Sequence, residues 1–234
     1  MKEIHIIDYL KWKRILIVKK EWNKMKENEE VRLQRLKKIE EEFHERGNTY
    51  ICGIDEAGRG PLAGPVVVAS AVLPRDSAIL GVNDSKKVTE KKREQLYDII
   101  IDDAITYGVG IVWQDEIDEI NILEATKKGL TMSLKDLNVK PNLILVDALK
   151  NINTLGIPYK SIIKGDEQVY SISAASIIAK VTRDRIMRQF DQVYPKYGFS
   201  KHKGYGTADH IKAIKKYGLC PIHRRSFTKN IIKE

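Results

Sequence analysis

The sequence predicts an α/β fold, and three observations carry it. The run Asn142-Leu143-Ile144-Leu145-Val146 is apolar after its first residue and stops at Asp147, the pattern of a central strand covered by helices on both faces. Two β-rich runs within Tyr50–Leu73, Y-I-C-G-I-D-E-A-G-R-G-P-L-A-G-P-V-V-V-A-S-A-V-L, flank a Gly/Pro connection and read as a hairpin. Stretches with helical spacing lie between the strand-like runs, so the sheet is expected to sit between helical layers.

Taken in order, residues 1–48 are rich in Lys and Glu. Leu36, Ile39 and Phe43 fall at helical spacing before Gly47 and Asn48 end the run, which predicts a helical extension. Its earlier part, with Trp12 and Trp22, fits packing on the body, binding a partner or remaining loose equally well. After the hairpin comes Asn83-Asp84-Ser85-Lys86-Lys87, then Thr89 as an N-cap and a helix with Leu96, Ile99 and Ile100 on its apolar face. Thr106–Trp113 alternates and is β-branched, a third strand completing an antiparallel meander, and Asp115–Leu137 reads as helix. Ser161–Lys164 is a further short strand, stopped by Gly165 and followed by Asp166. A long helix follows: Ala175, Ile178, Thr182, Ile186 and Phe190 form one stripe, and Ala174, Ala175 and Ala179 allow close approach to the sheet. Pro195 ends this unit, giving an extension (1–48), a core (49–195) and a basic C-terminal lobe (196–234).

The chain has 234 residues and a formal net charge of +9, which points to an acidic partner, commonly nucleic acid. The charge is unevenly placed. Residues 50–195 hold 18 Lys and Arg against 20 acids, whereas residues 196–234 hold 10 against 2. An acidic middle with a basic tail fits a core that binds cations and a separate surface that grips a polyanion. Cys52 and Cys220, the two cysteines, exclude a disulfide framework, and the spacing of Cys220, His223, His202 and His210 matches no compact zinc pattern. Ile15–Val18 is too short for a signal or membrane segment, so a cytoplasmic protein without membrane attachment is expected, acting as a monomer.

Asp55, Glu56, Asp147 and Asp166 each end a predicted strand. Asp55 and Glu56 alone read either as solvated turn residues past a strand ending at Ile54 or as ligands to a cation, since adjacent strand residues point to opposite faces. Strand ends converge in an open α/β sheet, and four converging acids need divalent ions to stay ionised together. Two ions about 4 Å apart activate water on one side of a phosphodiester and stabilise the leaving oxygen on the other. Ser173 and Ser176 have no His partner near in sequence, and Gly58-Arg59-Gly60 lacks the Lys-Ser/Thr of a nucleotide-hydrolase loop. Lys86 and Lys87 read as a phosphate site before a helix start or as a solvated pair. The stretches around Tyr205 and His223–Phe227 mix basic and aromatic side chains, as a nucleic-acid surface requires.

The stretches G-I-D-E-A-G-R-G-P-L-A-G-P-V-V (53–67), N-D-S-K-K (83–87), I-L-V-D (144–147), K-G-D (164–166), S-A-A-S-I-I-A-K-V-T-R-D (173–184), H-K-G-Y-G-T (202–207) and H-R-R-S-F (223–227) together resemble bacterial ribonuclease HII. The resemblance implies a ribonuclease H-like mixed sheet of about five strands flanked by helices, with a helical C-terminal lobe. It implies Mn²⁺- or Mg²⁺-dependent cleavage of the RNA strand of RNA–DNA hybrids, and nicking 5′ of single ribonucleotides in DNA to leave 3′-hydroxyl and 5′-phosphate ends. By position, Asp55, Glu56, Asp147 and Asp166 become metal ligands and catalytic acids, Gly58, Arg59 and Gly60 recognise the 2′-hydroxyl, Ser85, Lys86 and Lys180 hold phosphates, and Tyr205 stacks at the junction. Ala148-Leu149-Lys150 departs from the Gly-Asn that many members carry after the third acid. A nucleic-acid-binding module without catalysis is the alternative.

Overall fold

The computed structural model describes residues 28–232; Trp12, Trp22 and Ile15–Val18 lie outside them. Five strands form one mixed sheet in the order β3-β2-β1-β4-β5. They are β1 (Ile51–Ala57), β2 (Val66–Val72), β3 (Thr106–Val112), β4 (Leu143–Asp147) and β5 (Tyr159–Ile162). The first three make the antiparallel meander expected from their alternation, while β4 runs parallel to both β1 and β5. The fifth strand starts two residues earlier than the apolar run suggested, because Tyr159 and Lys160 pair with Ile144 and Leu145 although both are exposed.

Helices cover both faces. On one lie a helix over residues 28–45 (α1), α2 (Glu90–Asp103) and the long α5 (Tyr170–Val193); Leu36, Leu96, Ile100, Ala174, Ala175 and Ile178 meet Val67, Ala69 and Ala71 of β2 there. On the other, α3 (Gln114–Lys135) sets Leu130 and Leu134 against Cys52, Ile54, Val68, Ile144 and Val146. Alternation along β1 therefore sends Cys52 and Ile54 toward α3 and Gly53 and Asp55 toward α5. Gly53 is what lets α5 lie so close, since a Cβ there would stand 2.1 Å from the Ser171 carbonyl carbon.

Thr89 caps α2 as expected, its side chain accepting from the Lys92 amide. Ile99 does not join the apolar face; it is 47% exposed while Leu96 and Ile100 are buried. The helix α3 is two segments, because Asn121 takes φ 67° and its Oδ1 accepts from the Leu123 and Glu124 amides. That bond recaps the second segment as an N-cap would. Beyond α5 come α6 (Phe199–His202), α7 (Ala208–Tyr217) and α8 (Arg225–Thr228); Phe199 and Ala213 pack with Ala63, Met187, Tyr197 and Ile222 in a core of their own, while Phe227 of α8 joins Val66, Val112, Ile117 and Ala125. No described helix is long and apolar enough to cross a membrane.

Candidate active site

Strand β1 does not end at Ile54. It continues to Ala57, so Asp55 and Glu56 are strand residues and leave the sheet on opposite faces. The parallel register pairs Ile54 with Val146, which places Asp55 beside Asp147 one step further on. Asp147 in turn accepts the Gly165 amide at 2.7 Å, and that bond fixes the start of α4 (Gly165–Gln168), which carries Asp166. Three chain segments distant in sequence thus bring their acids to one edge of the sheet.

The four carboxylates strain against one another. Asp55 is 5% exposed; burial first, then the charges of Glu56 and Asp147, holds its pKa well above the usual carboxylate range. Burial also raises Glu56, opposed by Arg59, whose guanidinium lies 3.3 Å away, and reinforced by Asp147. Asp147 is raised by burial and by Asp166, against the Gly165 amide. A cation answers this charge: Lys86 Nζ is 3.1 Å from Asp166 Oδ2 and 3.7 Å from Asp84 Oδ1. Burial disfavours the ammonium, yet its bond to Asp166 and the fields of Asp84, Asp166 and Asp55 outweigh that and raise its pKa.

Among the described residues no three His, Cys, Asp or Glu side chains converge tightly enough, as placed here, to hold one metal ion. The donor set nonetheless fits a hard divalent cation. It is all oxygen, Asp55, Glu56 and Asp147 are pushed toward protonation by burial and by neighbouring acids, and a lysine ammonium stands beside Asp166.

Two serines that lack a histidine to activate them prove to hold the acids. Ser173 Oγ, fully buried, donates toward the Asp166 carbonyl at 2.8 Å. Ser176 Oγ lies between the Asp55 carboxylate and Ser85 Oγ, 2.8 Å from the latter. Ser176 Oγ donates to Ser85 Oγ, and its hydroxyl beside Asp55 counters part of the rise that burial imposes on that carboxyl. The signal in the sequence is a pair of polar residues three apart in an otherwise apolar helix face.

The other sequence-derived residues divide. Ser85 is buried against Ser176 and so lies beside the acids. Gly58, Arg59 and Gly60 follow β1 directly, Arg59 and Gly60 exposed and Gly58 buried. Lys180 pairs with Asp184 at 2.6 Å, and its pKa is lowered by burial against the pull of that carboxylate. Tyr205 is 43% exposed, with Lys180 Nζ and the Arg183 guanidinium each 5.8 Å from its ring centre.

Comparison with known proteins identifies the family. Residues 52–230 match the family model of ribonuclease HII. A ribonuclease HII of Acetivibrio thermocellus is 56% identical over 218 residues, covering 93% of this chain and 85% of that one. One of Clostridioides difficile is 53% identical over 204 residues, covering 87% and 80%. Among solved structures, the ribonuclease H2 of Pyrococcus horikoshii superposes with a TM-score of 0.65 at 33% identity, over 78% of this chain and 96% of that one. The family comprises divalent-metal-dependent ribonuclease H endonucleases that act on RNA–DNA hybrids. With its mixed sheet, its acidic edge and a match spanning most of its length, the chain belongs to the ribonuclease HII family of enzymes.

Proposed function

We propose that the chain nicks the backbone on the 5′ side of a ribonucleotide, in RNA–DNA hybrids and at single ribonucleotides embedded in duplex DNA, leaving 3′-hydroxyl and 5′-phosphate ends. The observation that supports this reading is that strand register sets Asp147 beside Asp55 while its bond to the Gly165 amide ties it to the start of α4, which carries Asp166, with Glu56 adjacent and Lys86 bonded to Asp166. Asp55, Glu56, Asp147 and Asp166 would hold the divalent cations, Mg²⁺ or Mn²⁺, which supply an activated water and stabilise the leaving oxygen in a two-metal manner.

The chain's own residues do the rest. Lys86 is 76% exposed along its side chain and turns from Asp166 to a substrate phosphate once other positive charge answers the acids. The turn Gly58–Gly60 faces the ribose with backbone groups, and at Gly60 an added Cβ would meet nothing within 4 Å, so a sugar can lie directly on it. Tyr205 offers an exposed ring for stacking, and the exposed Lys212, Lys215 and Lys216 of α7 offer phosphate contacts.

A 5′-labelled duplex with one ribonucleotide, its all-DNA counterpart and an RNA–DNA hybrid, each incubated with Mg²⁺, Mn²⁺ or chelator, test this. Metal-dependent cutting of the two ribose-containing substrates, with the stated ends, is expected. Cutting of the all-DNA duplex, or binding of all three without any cleavage, would refute it.

A further inference from the structure

Two buried arginines hold the turn between β1 and β2. Arg183 of α5 and Arg224 before α8 are both 0% exposed. Arg224 donates from Nη2 to the Gly58 carbonyl (2.6 Å), from Nη1 to that of Arg59 (3.0 Å) and from Nε to that of Gly64 (2.9 Å). Arg183 donates from Nε to Pro65 (2.9 Å), from Nη2 to Ala63 (3.0 Å) and from Nη1 to Lys203 (2.9 Å), again to carbonyls. Asp184, next in sequence to Arg183, turns instead to Lys180 and Arg93. Burial pushes Arg224 down to about 9, helped by the charge of Arg183, and Arg183 down to about 10. Both therefore stay charged at neutral pH, with carbonyl dipoles in place of water or a carboxylate.

Buried cations are costly, and apolar residues would fill the space without that cost. What only guanidinium forks achieve is to fix carbonyl directions. The peptide bonds of the described residues are all trans, so the amide following each fixed carbonyl points the opposite way. Drawing the Gly58 and Arg59 carbonyls inward turns the Arg59 and Gly60 amides outward, and neither amide bonds within the protein among the described residues. The turn is packed from below, since a Cβ at Gly58 (φ +99°) would stand 2.1 Å from Arg183 Nε. From above it is open at Gly60.

We propose that Arg224, supported by Arg183, is a positioning residue for substrate recognition: it presets the outward amides of Arg59 and Gly60 and places positive charge behind them, making a rigid binding surface for the oxygens of a ribose hydroxyl and its phosphate. This rests on the proposed ribonucleotide specificity, and names what confers it.

The test compares two duplexes identical except for one ribose or deoxyribose, by fluorescence anisotropy in chelator, for the wild type, Arg224→Lys and Arg224→Gln. Far-UV circular dichroism and cooperative melting check folding. The wild type is expected to prefer the ribose duplex. Both variants should lose about tenfold or more of that preference, as preset hydrogen bonds are lost, while all-DNA affinity changes little. Lysine keeps the charge but cannot span three carbonyls, so its loss separates direction from charge. Folded variants with an unchanged preference would overturn the proposal, as would failure of both to fold, which marks a purely structural role. A wild type without preference would remove the specificity reading itself, a result distinct from either.

Discussion

Asp55→Asn and Asp147→Asn each remove a negative charge from the acidic edge while leaving shape and volume. Turnover should fall by about 10²-fold or more, read as initial rates on a hybrid. Stability should move the other way, because both carboxylates are held above their usual range by burial and by each other; melting in chelator should show the Asn variants no less stable than wild type. Ser176→Ala removes the hydroxyl that links Ser85 to the surroundings of Asp55 and should lower activity about 10–100-fold with metal demand raised, measured as rate against Mn²⁺ concentration. The acids were legible in the sequence because each follows a strand signal. Ser176, Arg183 and Arg224 were not: their partners are backbone carbonyls or side chains far along the chain, which no local pattern encodes.

At the scale of elements, the helix α1 is tied to the body by Leu36, Ile39 and Phe43, legible from their spacing, and by Glu40, which was not. Glu40 Oε1 accepts the Ser171 amide at 2.7 Å, meeting an unsatisfied donor in the first turn of α5. Burial raises its pKa from 4.5 to about 7, against the Ser171 bond and Lys37. The native state thus keeps this proton to about pH 7 while the unfolded chain releases it near 4.5, so the contribution is absent below that value. It grows as a cost while pH rises through the window and is complete above it. Glu40→Gln keeps the acceptor without the charge. Its stability advantage over wild type should grow between pH 5 and 8 to about 1–3 kcal/mol, read from denaturant midpoints, and parallel profiles would refute the assignment. Element types were otherwise legible from period and caps. Ile99 and the exposed start of β5 departed because their neighbours, not their own hydropathy, decide which face they use.

Across the whole molecule, the meander and the central apolar strand announced a mixed sheet, but the order β3-β2-β1-β4-β5 comes from pairing that sequence periodicity does not specify. The charge asymmetry was legible, and it carries a prediction at this scale. Neutralising Lys212, Lys215 and Lys216 together should lower the slope of log affinity against log salt by about 0.9 for each phosphate these lysines would otherwise neutralise, leaving hydrolysis at saturating substrate unchanged.

We propose that acids from β1, β4 and α4 share one site that divalent cations make tolerable, and melting of chelator-treated protein with increasing Mn²⁺ measures this directly. Wild type should gain stability with metal, by about 2.7 kcal/mol at a hundred times the dissociation constant, and an Asp55→Asn/Asp147→Asn double variant should gain almost none. Equal gains in both proteins, or none in wild type, would contradict it.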